Sequence, residues 1–193
     1  YLLLVFCFLT SVYGMLSAAL CQFTKQKSLL LSSRVSNLYT SILCLLACSL
    51  LSYSFFTSDF SLLYVYKNSS SDLPLLYRFS ALWSSLEGSH LLWALLLSLC
   101  TSASLWFFKH DNESFVPLVS LLLQGVLSWM FFLALSSSNP FDPSFPVPLS
   151  GLGMNELLQN PYMMIHPPCL FLGYTSLAIP FAYSFSAVWL GRL

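Results

Sequence analysis

Charge is what this sequence has least of. Its 193 residues include seven Lys or Arg and seven Asp or Glu, 7% of the chain, against 57% hydrophobic residues. A soluble domain carries about 25% charged residues, so this chain cannot cover a water-exposed surface. Disorder is excluded as well, because disordered chains are polar and poor in aromatics, and here 17% of residues are aromatic. The net charge is zero, which argues against a nucleic-acid partner. There is no CxxC pair, phosphate-cradling glycine loop, nucleophile–base pair or carboxylate dyad. Start methionine is lacking too, so Tyr1 need not be the true N-terminus.

What the chain has is long uncharged runs. Residues 1–24, 35–57, 88–108, 114–141 and 157–191 contain no Asp, Glu, Lys or Arg, and the mean hydropathy is +0.76. Each run can hold a helix of about 20 residues, enough to cross about 30 Å of hydrocarbon. The expected fold is all-α: a polytopic transmembrane helix bundle of about five spans, at 1–22, 35–56, 89–108, 115–135 and 168–190, in a single membrane domain over 1–193. The first run lacks the basic start and short apolar core of a signal peptide. The six cysteines, Cys7, Cys21, Cys44, Cys48, Cys100 and Cys169, fall in or beside spans and read as packing residues.

Charge position orients the bundle. Lys25, Lys27, Arg34, Lys109 and Arg192 share one side with Asp111 and Glu113. Lys67 and Arg78 share the other with Asp59, Asp72, Glu87, Asp142 and Glu156. The positive-inside rule makes the first side the inner one. Two outer loops, 57–88 and 136–167, then face outward. The first ends in a helical pattern: Pro74 suits a first helical position. Leu75, Leu76, Phe79, Leu82, Trp83 and Leu86 form one apolar face. It reads as a short interfacial helix with Trp83 at headgroup depth. Seven of the ten prolines lie between 140 and 168, in the second loop and directly at its end; they restrict the unfolded chain and favour an ordered loop. A short helix fits at 154–159.

Three histidines remain. His166 precedes Pro167-Pro168, where an extended residue followed by a helix start is expected. It would stand at the outer mouth of the last span, as a metal or haem ligand or as a polar headgroup contact. His90 shares a helical face with Glu87 and Trp93, and a Glu87–His90 hydrogen bond at the helix start is one reading. His110 lies in the polar turn 109–114 and reads as solvated. Asn68-Ser69-Ser70 and Asn112-Glu113-Ser114 match the short glycosylation pattern.

Two stretches carry a family resemblance. Trp83-Ser84-Ser85-Leu86-Glu87-Gly88-Ser89-His90-Leu91-Leu92-Trp93 resembles the W-S-x-H-E-G-S-x-L-L-W pattern of CcmF, the haem lyases of system I cytochrome c maturation. The second begins at Asn139-Pro140-Phe141 and includes Asn155, Leu157-Leu158-Gln159-Asn160-Pro161 and His166-Pro167-Pro168. It runs on through Leu170, Gly173-Tyr174, Pro180-Phe181-Ala182 and Gly191-Arg192-Leu193. It is similar to the pattern N-P-F…N-x-L-L-Q-D-P…H-P-P-x-L-Y-x-G-Y…P-F-A…G-R-L of the same family.

The resemblance implies a subunit of a membrane haem lyase that attaches haem covalently to apocytochrome c and has no activity alone. It makes His166 an axial ligand to haem iron. Trp83, Glu87 and His90 become further cofactor-binding candidates, and no residue is a catalytic acid or base. It implies haem b shared with other subunits, and a thiol-handling maturation partner. Two departures stand out. The tryptophan-rich WWD signature is missing, so the chain resembles the N-terminal part of a split mitochondrial form whose other fragments carry it. That places the chain in the mitochondrial inner membrane, with His166 on the intermembrane-space side. Leu86 also stands where the family has histidine, and His90, four residues on, shares that helical face. The rival reading is a structural or assembly subunit that has lost haem.

Overall fold

The computed structural model describes residues 1–107 and 115–191. The turn at 109–114, with His110 and Asn112, and the terminal Arg192 lie outside the described residues. Among the described residues seven α-helices follow in order: α1 (Leu2–Thr24), α2 (Lys27–Phe56), α3 (Leu63–Asn68), α4 (Leu75–Ser80), α5 (Leu86–Phe107), α6 (Val116–Ser136) and α7 (Pro161–Trp189). Two 3-10 turns, Ala81–Trp83 and Glu156–Leu158, complete the helical elements. Five helices, α1, α2, α5, α6 and α7, are long and apolar enough to cross a membrane. The all-α polytopic bundle expected from the sequence is what forms.

Two spans start earlier than expected. α2 begins at Lys27, not near 35, because 27–34 contains no helix breaker. The α1–α2 connection shrinks to Lys25-Gln26, with Lys25 left-handed at φ 59° ending α1. α7 begins at Pro161, not at 168. Asn160 caps it by accepting the Tyr162 N–H at 2.9 Å, and Pro161 takes the first turn, where no N–H is needed. This start outcompetes Pro167-Pro168. The helix runs through both, giving up two internal N–H donors. His166 is therefore helical, not extended, and sits five residues inside α7.

The spans bury small and polar residues and expose large apolar ones. α1 buries Leu4, Cys7, Ser11, Gly14, Ser17, Ala18 and Cys21, a stripe at three- to four-residue spacing. It packs on α2 and α6, while α5 contacts α2, α6 and α7. Leu9, Tyr13, Leu16 and Leu20 point outward. Lipid is as apolar as leucine, so helices associate through close approach and hydrogen bonds. Both occur where α1, α2 and α6 meet. Ser33 Oγ donates to the Gly14 carbonyl at 2.9 Å and lies 2.7 Å from Ser120 Oγ. Gln124 Nε2 reaches Ser33 Oγ and Ser120 Oγ, each at 2.7 Å. A Cβ on Gly14 would overlap the Gln124 side chain. Between α2 and α5, Asn37 Nδ2 donates to the Ser98 carbonyl at 3.2 Å and to Ser102 Oγ at 2.7 Å. Cys7, Cys21, Cys44 and Cys48 are buried, as packing residues would be, whereas Cys100 is half-buried and Cys169 exposed.

The two long loops, 57–88 and 136–160, are fastened to one another. Leu63 N–H donates to the Asp142 carbonyl (2.8 Å) and Ser144 N–H to that of Ser61 (2.7 Å). Leu152 N–H donates to Tyr66 (2.8 Å) and Gly153 N–H to Ser69 (3.0 Å). Arg78 binds the Leu73, Phe56 and Ser71 carbonyls, tying α4 to the end of α2.

Candidate functional site

The end of the bundle that carries the two long loops is shaped by asparagines. Asn139 Oδ1 accepts the Phe141 N–H at 3.0 Å while its amide donates to Asp142 at 2.7 Å, turning the chain after α6. Asn155 Oδ1 accepts the Leu157 N–H at 3.0 Å, and the Gln159 amide donates to the Met154 carbonyl at 3.0 Å. Asn160 then starts α7. These residues shape the path that delivers His166.

His166 is exposed and makes no hydrogen bond among the described residues. At 1.5 Å per residue it lies about 7.5 Å along α7 from its start. Residues three, four and seven positions on share its face. They are Cys169, Leu170 and Gly173, all exposed, and the Cβ direction of Gly173 meets open space. The strip below His166 is thus open.

Across from α7, Trp93 of α5 stacks on Phe171 (centroids 5.9 Å apart, planes 17° off parallel) and lies 6.0 Å from Tyr174. One turn nearer the outer end, His90 is half-buried and its Nδ1 lies 3.0 Å from Ser138 Oγ. The expected Glu87–His90 hydrogen bond is not formed: Ser138, at the end of α6, holds the imidazole. Glu87 lines a small polar pocket of about 50 Å³ with Tyr64, Lys67, Asn139 and Asp142.

Trp83 is a second correction. It does not stand on an exposed apolar face as a lipid-facing anchor would: it is 9% exposed, with its indole N–H buried and without an acceptor among the described residues. Pro74 caps α4 and does not open it. The apolar run from Leu75 splits: Leu75, Leu76 and Leu86 are exposed, while Leu82 and Trp83 turn inward. Trp83 meets Phe79 edge-on at 5.1 Å. Gly88 permits this fold, because a Cβ there would overlap the Leu82 carbonyl and the Tyr64 hydroxyl. Tyr64 Oη donates towards the Ala81 and Leu82 carbonyls at 3.3 and 3.2 Å. Burial pushes the Tyr64 phenol well above the usual tyrosine range, with Glu87 adding to the shift.

A family model described as cytochrome C assembly protein matches residues 83–193, the stretch containing α5, α6, the outer loop and α7. The chain belongs to the cytochrome c assembly protein family. Among its relatives, CcmF of Pseudomonas fluorescens is 42% identical over 151 residues, 77% of this chain and 23% of that protein. The biogenesis protein ccl1 of Rhodobacter capsulatus is 40% identical over 149 residues, with the same coverage. A solved structure of cytochrome c haem lyase CcmF superposes with a TM-score of 0.86 at 29% identity, covering 99% of this chain and 30% of that one. The chain spans less than a quarter of the length of these two curated relatives. Within the family match, the structure brings Trp93 onto α7 and leaves His166 open; His90 faces Ser138. Ser138, Phe171 and Tyr64 were not singled out from the sequence as site neighbours. Only the Glu87-Gly88-Ser89 glycine hinted at the close approach beneath α5.

Proposed function

We propose that this chain forms part of a CcmF-type haem lyase, which joins haem covalently to apocytochrome c, and that His166 supplies one axial ligand to haem iron. Family membership supports the activity. The observation that carries the ligand is the open imidazole of His166 above the exposed strip ending at Gly173. These residues fit one face of a planar macrocycle, and neutral imidazole is an ordinary iron ligand. When bound, haem b supplies the vinyl groups that become thioethers.

In this reading His166 fixes orientation and tunes the iron; it moves no proton. His90, held by Ser138, and Glu87 line the α5 side of the mouth, and Trp83 seats the start of α5 from below. The tryptophan-rich segment comes from the parts of the family protein that this chain does not span. The thiols come from apocytochrome c, presented by a thiol-handling partner. The membrane is the mitochondrial inner membrane, with His166 towards the intermembrane space. The basic residues Lys25, Lys27 and Arg34 at the opposite end support that orientation.

The test is the native complex carrying His166→Ala. Loss of haem from the purified complex together with loss of mature cytochrome c is expected. Normal haem content and normal maturation would reject the ligand role and favour a structural subunit.

A further inference from the structure

One face of α2 is apolar along its length. Leu38, Ile42, Leu46, Leu50 and Tyr53 are exposed at three- to four-residue spacing, and Phe56 closes the row. From Val35 to Phe56 the helix carries no charged residue. That stretch is about 33 Å long at 1.5 Å per residue, close to the hydrocarbon thickness of about 30 Å. The row therefore faces lipid, and Phe56, the last residue of α2, stands where acyl chains give way to headgroups.

α4 lies at that level. Phe79 stacks on Phe56, with ring centroids 6.3 Å apart and planes 16° off parallel, and Arg78 Nη1 donates to the Phe56 carbonyl at 3.3 Å. One turn earlier, Leu75 is 65% exposed and Leu76 59%, and Phe79 is exposed too. The other flank is held by protein. Ser80 is buried, Phe79 meets Trp83 edge-on, and the Trp83 carbonyl accepts Ser89 Oγ at 2.8 Å. α4 is thus clamped between the end of α2 and the start of α5, with an apolar face left bare among the described residues. Through the Phe56–Phe79 stack that face continues the lipid-facing row of α2. We propose that α4 is a membrane-surface brace: Leu75, Leu76 and Phe79 enter the acyl region of the leaflet at the loop-bearing end, and this contact steadies the 81–85 turn and the start of α5. The occupant is bilayer acyl chain. The inference stands whether or not His166 binds haem.

The test uses the native complex in phosphatidylcholine nanodiscs whose acyl chains carry bromine either near the headgroup or near the chain end. Bromine quenches a neighbouring indole. Leu76→Trp adds one indole to α4, and Leu46→Trp, midway along the lipid-facing row, serves as the depth ruler; each is read as emission added over wild type. Shallow bromine should quench Leu76→Trp more than deep bromine does, Leu46→Trp should show the reverse order, and aqueous iodide should spare both. Quenching of Leu76→Trp by iodide and not by bromine overturns the proposal, because the face then meets water. Quenching by neither also overturns it, and means that a protein partner covers α4. The double variant Leu75→Ser, Leu76→Ser should lower the melting temperature of the complex in nanodiscs, while Leu75→Met, Leu76→Met should not. An unchanged melt of the serine variant overturns the bracing role.

Discussion

The indole of Trp93 lies almost parallel to the ring of Phe171, 5.9 Å away. This stack joins α5 to α7 five residues below His166, and Tyr174 flanks it. Only Thr175, Ala182 and Ser186 of α7 are buried, so the aromatic contact carries much of the hold on its outer half. Trp93→Leu should cost about 0.5–1.5 kcal/mol beyond lost area, read as a lower melting temperature of the native complex. Trp93→Phe should retain most of the hold. Equal melting of the two variants would show that the stack contributes nothing.

Gly88 is where the start of α5 meets the Leu82 carbonyl. Gly88→Ala forces an overlap with backbone that cannot rotate away, at a cost of about 1–3 kcal/mol. Gly173→Ala is the control, because its Cβ meets open space. Reduced accumulation should follow Gly88→Ala alone, measured by immunoblot of membranes.

In the seam between α1, α2 and α6, Gly14 and Gln124 separate packing from hydrogen bonding. Gln124→Leu removes bonds to Ser33 and Ser120 but leaves those two hydroxyls 2.7 Å apart and paired. Interhelical hydrogen bonds in membranes average about 0.6 kcal/mol, so the loss should be modest. Gly14→Ala should cost more, since the Gln124 side chain must leave. Thermal melts in detergent rank the two, and the reverse order would contradict this packing.

Tyr64 ties stability to alkaline pH. Its folded-state phenol titrates above the unfolded value of about 10. The stability it gives by staying neutral is complete below that value and is lost as pH rises above it towards the folded value. Tyr64→Phe should cost about 1 kcal/mol at neutral pH through the lost hydrogen bonding and should melt with a shallower alkaline decline. A parallel decline in both proteins would refute the linkage.

Much of the architecture was legible because charge is so scarce. Runs without a single charged residue located the five spans, and Pro140, Pro143, Pro146 and Pro148 marked an ordered loop before α7. Helix starts were less legible, for a physical reason. Pro167-Pro168 resembles a start, yet Asn160-Pro161 supplies both cap and first turn, and an established helix tolerates prolines in its second turn. Trp83 misled for a related reason: its spacing suits an amphipathic helix, but the chain turns at 81–85 because Gly88 lets α5 pack beneath it. His166 could be picked from the sequence by its place before two prolines. The partner of His90 could not be, because Ser138 lies 48 residues away in an unremarkable serine run.

The central claim is that His166 binds haem iron directly. The most direct measurement is the reduced-minus-oxidised spectrum of the native complex carrying His166→Gly, with and without added imidazole. The account predicts an altered or lost haem band that free imidazole restores, because the small ligand can enter the space left by the side chain. A band identical to wild type without imidazole would contradict it.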